Sequence, residues 1–131
     1  MNNLLRTFND ELRNLLNEWI PQLSTDWWER YVLAVLTYQQ QERVKQSRIV
    51  DLSGLDLAAL LRVLDQNWFE LSPRFNWPKE GRNWLKEAQT IRNRWAHAPS
   101  GDAEPHDAYR DADTIDRLAK MLVIGDAAQT Q

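Results

Sequence analysis

The sequence contains no cysteine, which excludes disulfides, thiolate zinc sites and cysteine nucleophiles together. The same absence fits a reducing, cytoplasmic setting. Four glycines and five prolines leave little punctuation, so long uninterrupted elements are predicted. No apolar run approaches the ~20 residues of a membrane helix, and nothing at the start reads as a signal peptide, so no membrane partner is expected. Glycine-rich phosphate loops, HExxH pairs and EF-hand loops are also missing. The two histidines, His97 and His106, are too few for a histidine-rich metal site. Asp102, Glu104 and Asp107 near His106 read as solvated surface, so neither a metal nor a cofactor is expected. A net charge of −3 argues against a protein that coats nucleic acid by bulk attraction, so any such contact must be local.

What remains is the material of one globular domain. The chain has 131 residues, with 43% apolar and 27% charged side chains. Leu4, Leu5, Phe8, Leu12, Leu15, Leu16 and Trp19 recur at the spacing of one helical face, which Pro21 ends. Ser24, Thr25 and Asp26 offer caps for a second helix through Trp28, Tyr31, Val32, Val35 and Leu36, fading in the polar stretch 39–48. Asp56 caps a third, with Leu57, Leu60, Leu61, Leu64 and Trp68 on one stripe. Pro73, Pro78 and Gly81 make 72–81 a long loop, with Trp77 pinned to the core. A fourth helix carries Trp84, Leu85, Ala88, Ile91 and Trp95 and ends near His97, ahead of Pro99. Residues 98–104 form a polar loop, and Pro105 opens a last helix with Tyr109, Ala112, Ile115, Leu118, Ala119 and Leu122. No strand alternation is found. The predicted fold is all-α, an up-and-down bundle of about five helices around a four-helix core. The domain is expected over residues 1–124, with 125–131 as a flexible tail or linker to a possible further domain.

Chemistry concentrates in Arg92-Asn93-Arg94-Trp95-Ala96-His97. Arginine holds a phosphate through two hydrogen bonds, and histidine exchanges protons near neutral pH. Those two functions suffice to cleave RNA without metal: one moves the proton of the 2′-hydroxyl or leaving oxygen, the other stabilises the charge at phosphorus. The structural alternative pairs Arg92 with Glu87 or an acid of the last helix and lets His97 cap the helix carbonyls. From Arg74 to His97 six basic residues stand against Glu80 and Glu87, whereas Asp102 to Asp116 holds six acids against Arg110. The first segment is therefore either a local phosphate-binding surface, with Arg82, Lys86 and Arg94 as backbone contacts, or one half of a set of salt bridges across the bundle. Trp28, Trp68, Trp84 and Trp95 stand at core spacing, while Trp27 and Trp77 are candidates for a dimer surface or an RNA contact.

The string RNRWAH at the end of a helix resembles the HEPN superfamily (higher eukaryotes and prokaryotes nucleotide-binding), whose motif is an arginine, a polar residue and a histidine a few places on. Asp26-Trp27-Trp28, Asp56–Leu61, Asn67-Trp68, Arg82-Asn83-Trp84 and Asp107-Ala108-Tyr109 extend the likeness over roughly residues 4–124. In combination they resemble the branch first described in a eukaryotic nuclear mRNA-surveillance endonuclease, also found at the N-terminus of bacterial helicase- and ATPase-type defence proteins. The resemblance implies a homodimer with facing motif helices and a metal-independent endoribonuclease that leaves a 2′,3′-cyclic phosphate. It maps the motif onto Arg92, Asn93 and His97, with Arg92 on the scissile phosphate, His97 moving the proton and Asn93 orienting one of them. The competing expectation is a non-catalytic HEPN module that dimerises or docks within a larger helicase or ATPase protein.

Overall fold

The computed structural model describes residues 1–97 and 105–130, and the loop expected at 98–104 lies outside the described residues. Among the described residues there are six α-helices: α1 (Asn2–Trp19), α2 (Tyr38–Gln46), α3 (Leu57–Gln66), α4 (Trp68–Phe75), α5 (Glu80–His97) and α6 (Pro105–Thr130). There is no strand among the described residues, and the expected all-helical bundle is the observed architecture. None of these helices is long and apolar enough to cross a membrane.

Four helices close the core: α1 packs on α3, α3 on α5, α5 on α6 and α6 back on α1. Their inward stripes supply Phe8, Leu12, Leu16, Leu60, Leu64, Leu85, Ile115 and Leu118, all essentially inaccessible to water. Burial of this kind contributes about 1.5–3 kcal/mol for each large aliphatic side chain. α3 is enclosed on most of its circumference, with Leu57, Ala59, Leu60, Leu61, Val63, Leu64 and Asp65 buried. Its start is set as expected, since an Asp56 carboxylate oxygen accepts the Ala59 amide at 3.0 Å.

Three expectations need correction. The second helix is not regular. After Trp27 the chain winds into a wide π-type turn, Trp28–Val32, then a tight 3-10 turn, Leu33–Val35. The cause lies downstream, where the Thr37 hydroxyl accepts the Gln40 amide and the Gln40 side chain accepts the Thr37 amide. This capping box holds Thr37 extended and starts α2 inside the stretch read as fading. Carbonyls freed by the irregular winding are met by side chains. Asn67 donates to Tyr31 O at 2.8 Å, Arg62 to Val35 O at 2.7 Å and Gln41 to Leu36 O at 3.2 Å.

The second correction concerns 72–81. α4 continues through Pro73 to Phe75 and stops where Asn76 turns left-handed, at φ 55°. Trp77 is buried, so it does not supply the surface it was offered for. It stacks on Phe75 at 5.3 Å and also meets Trp19 and Trp68, at 5.6 and 5.1 Å. Trp27 remains half-buried, edge-on to Trp28 at 5.9 Å.

The third concerns 125–131. Residues 125–130 continue α6 as helix. A Cβ on Gly125 would stand 2.8 Å from the Trp77 indole nitrogen, so the absent side chain lets α6 reach the aromatic cluster. One residue on, Asp126 accepts the Trp19 indole N–H at 2.9 Å. We expect Asp126→Ala to lower unfolding free energy by about 1–3 kcal/mol, because it strands the N–H of a buried indole. Urea denaturation followed by tryptophan fluorescence measures it, and an unchanged midpoint would show the residues from Gly125 onward to be dispensable for the core.

Candidate functional site

α5 buries Leu85, Ala88 and Ile91. With about 100° between successive residues, that stripe fixes the direction of every other side chain on the helix. Arg92 falls toward α3, Asn93 outward, and Arg94 toward α6. The contacts follow. Arg92 Nη2 approaches Asp56 Oδ2 at 3.4 Å and its Nη1 approaches Asn93 Oδ1 at 3.4 Å. Arg94 Nη1 donates to Asp111 Oδ2 at 2.6 Å. Lys86 and Arg82 reach the buried Asp65 of α3, at 2.7 and 3.4 Å. These pairings run in opposite residue order on the two helices, so α5 lies antiparallel to α3.

Arg92, Asn93 and His97 therefore share the last turn and a half of α5, with His97 its final residue. The side chains of His97, His106 and Asp107 lie outside the described ones, as do Asp102 and Glu104 entirely. Among the described residues no group of three or more His, Asp or Glu side chains is placed to hold a metal.

Among the described residues, Arg92 meets neither of the partners expected for it, Glu87 or an acid of the last helix. Its acid is Asp56, the α3 cap, which also accepts Arg43 Nη1 at 3.0 Å. Glu87 instead accepts the Thr114 hydroxyl at 3.0 Å. Asp56 thus serves a helix amide and two guanidiniums, and its long contact to Arg92 orients that side chain while leaving most of its five N–H donors to other groups.

The basic surplus on α5 is divided. Arg94 meets the acidic last helix, as the salt-bridge reading anticipates, whereas Arg82 and Lys86 find their carboxylate on α3. All three cations keep contact with solvent, and Lys86 and Arg94 expose about half of their side chains. Among the described residues, Arg92 borders a hollow free of acids. It lies between α3 and α5, holds about 250 Å³ and is lined by Gln40, Ala58, Leu61, Arg62, Gln89, Arg92 and Asn93. A second hollow of about 290 Å³ on the other side of Arg92 is lined by Asn2, Leu5, Arg6, Asn9, Leu57, Trp95 and Ala96.

A family model described as Swt1-like HEPN matches residues 3–123 of this sequence. The chain belongs to the Swt1-like HEPN family. A search among curated proteins and another among solved structures returned no match. The match covers α3 and α5 of this HEPN domain whole, α1 from its second residue and α6 as far as Val123, and it includes Arg92–His97.

Sequence reasoning passed over Gln40, Arg62 and Gln89 as site residues. Gln40 and Gln89 carry no signal beyond polarity. Arg62 does, because it is the single cation in an otherwise apolar helical run, Leu57–Leu64.

Asp111 is buried and takes both the Arg94 guanidinium and the Trp95 indole N–H, the latter at 2.9 Å. Asp111→Ala should therefore cost about 1–3 kcal/mol by leaving both donors without an acceptor. Arg94→Ala should cost less, since Asp111 keeps Trp95 and the lost partner is half-exposed. Equal costs in chemical denaturation would place the anchor in the ion pair and not in the indole.

Proposed function

We propose that this HEPN domain is a metal-independent endoribonuclease acting as a homodimer, with Arg92, Asn93 and His97 as its reacting constellation. One observation carries the reading: Arg92 and Asn93 border an acid-free hollow on the last turns of α5, just ahead of a histidine that ends the helix. A guanidinium held lightly by one carboxylate is oriented yet retains donors for a phosphate. In the cleavage, the 2′-oxygen attacks phosphorus and the bond to the 5′-oxygen breaks. The 2′-hydroxyl gives up its proton and the leaving 5′-oxygen gains one, so the products are a 2′,3′-cyclic phosphate and a 5′-hydroxyl. Arg92 stabilises the charge on the pentavalent phosphorus, and His97 moves the proton. Asn93 is exposed one turn before His97 and orients the phosphate or the imidazole. The ion-paired Arg82, Lys86 and Arg94 serve as secondary contacts to the RNA backbone. In this reading the domain stands at the N-terminus of a larger cytoplasmic anti-phage protein.

The second reading is a non-catalytic dimerisation or docking module of a larger helicase or ATPase protein. It is favoured by Val123 and Ile124, two exposed aliphatic residues side by side on α6, at 47% and 66% exposure. It also takes the Arg92–Asp56 pair as purely structural.

Incubation of a labelled mixed-sequence RNA in excess EDTA separates the two. Wild type is expected to cut and leave cyclic phosphate ends, while Arg92→Ala and His97→Ala lose at least about 100-fold in rate with helix content unchanged. Lys86→Ala should lose only a few-fold. Cutting by His97→Ala at the wild-type rate would overturn the assignment, and no cutting by any of them would favour the docking module.

A further inference from the structure

α3 buries nearly every side chain it carries, and two of its members are charged. Asp65 is neutralised twice, by Lys86 and by Arg82. Arg62, one turn earlier and half-buried, has no carboxylate partner among the described residues. Its Nε donates to the Val35 carbonyl at 2.7 Å, which fixes the plane of the guanidinium. That bond uses one donor of five and brings no negative charge. A half-buried cation without a counter-ion is costly to keep, so the terminal fork of Arg62 calls for an anion.

The surroundings agree. Arg62 lines the same hollow of about 250 Å³ as Arg92 and Asn93, and no acid among the described residues lines it. Gln40 also contributes, and because its Oε1 is spent accepting the Thr37 amide, its Nε2 is the end left to donate. Gln89, half-buried on α5, completes the polar wall, while Ala58 and Leu61 form the apolar floor. The lining is thus two guanidiniums and three amides. At this volume the hollow is smaller than the sites that take drug-sized ligands, and it suits a single compact anionic group. The other hollow beside Arg92 carries only Arg6 as a further cation, and the α5–α6 groove includes Glu87 and Asp111.

We propose that the hollow formed by Gln40, Arg62, Gln89 and Asn93 is a subsite for the RNA phosphate adjacent to the one held by Arg92. This rests on the ribonuclease reading for which phosphate is cleaved, but the binding itself does not need cleavage. Arg62 grips the neighbouring phosphate, and the two arginines fix the backbone on both sides of one ribose. Positioning of that kind lowers the barrier by orienting the 2′-hydroxyl for in-line attack.

The test is binding of a fluorescent 2′-O-methyl RNA oligonucleotide, which cannot be cut by this route, across a range of potassium chloride concentrations. Arg62→Gln removes the charge yet retains a donor for Val35. It should weaken binding about tenfold near 0.1 M salt and lower the slope of log affinity against log salt by about 0.7, one phosphate contact. Gln89→Glu, which changes one half-buried amide and leaves Val35 and its donor alone, places a carboxylate in the hollow and should weaken binding at least as much. It keeps the proposal open to refutation should Arg62→Gln unfold. Wild-type affinity and slope in both folded variants would overturn the subsite, as would failure of the wild-type protein to bind the oligonucleotide. If instead RNA binding follows Arg62 while unmodified RNA is never cut, the subsite stands and the ribonuclease reading falls. If RNA is cut and Arg62→Gln and Gln89→Glu alter neither KM nor kcat, the reverse holds.

Discussion

Burial of Leu85, Ala88 and Ile91 against α3 and α6 sets the rotation of α5, and the rest of the site depends on that rotation. Once the stripe faces inward, residues two apart on the helix point almost oppositely. Arg92 and Arg94, near neighbours in sequence, are delivered to different helices and different carboxylates. Asn93 between them faces water. A helix free to roll would offer one undivided basic surface, whereas this one separates a guanidinium beside an acid-free hollow from cations held on buried carboxylates.

Asp56 shows how a local signal acquires a tertiary role. Within α3 its carboxylate is an ordinary N-cap on the Ala59 amide. The antiparallel approach of α5 brings Arg92 to the same group, and α2 brings Arg43. Sharing weakens each contact and keeps the acid neutralised. A tighter, exclusive pair would hold Arg92 away from any phosphate, while no pair would leave its long side chain unordered. The arrangement lies between those limits.

The irregular segment 28–37 bears on the same site. Its abnormal winding leaves the Tyr31, Val35 and Leu36 carbonyls for side chains, and Asn67, Arg62 and Gln41 fill them from elsewhere. Arg62 is thereby held at the edge of the core in a fixed orientation, at the cost of carrying an uncompensated charge there. Structure and prospective function meet in one side chain, which supports the fold through its Nε and also lines the hollow.

Amphipathic spacing and local caps were legible without coordinates. The stripes of α1, α3 and α5, the Asp56 cap and the position of Arg92–His97 at a helix end all follow from short-range physics, which a sequence states directly. The all-helical class followed as well, and so did the family likeness. The places where reading failed share a cause. Thr37 and Gln40 form a cap whose strength broke the preceding helix, Pro73 was tolerated inside α4, and Gly125 and Asp126 joined the core because Trp77 and Trp19 needed contacts there. Each is a choice between locally acceptable conformations, settled by a residue far along the chain. Salt-bridge partners belong to the same class. Sequence offered Glu87 or an acid of the last helix as an alternative partner for Arg92, but only the packing of α5 on α3 could say that its acid is Asp56, and that Arg62 has none among the described residues.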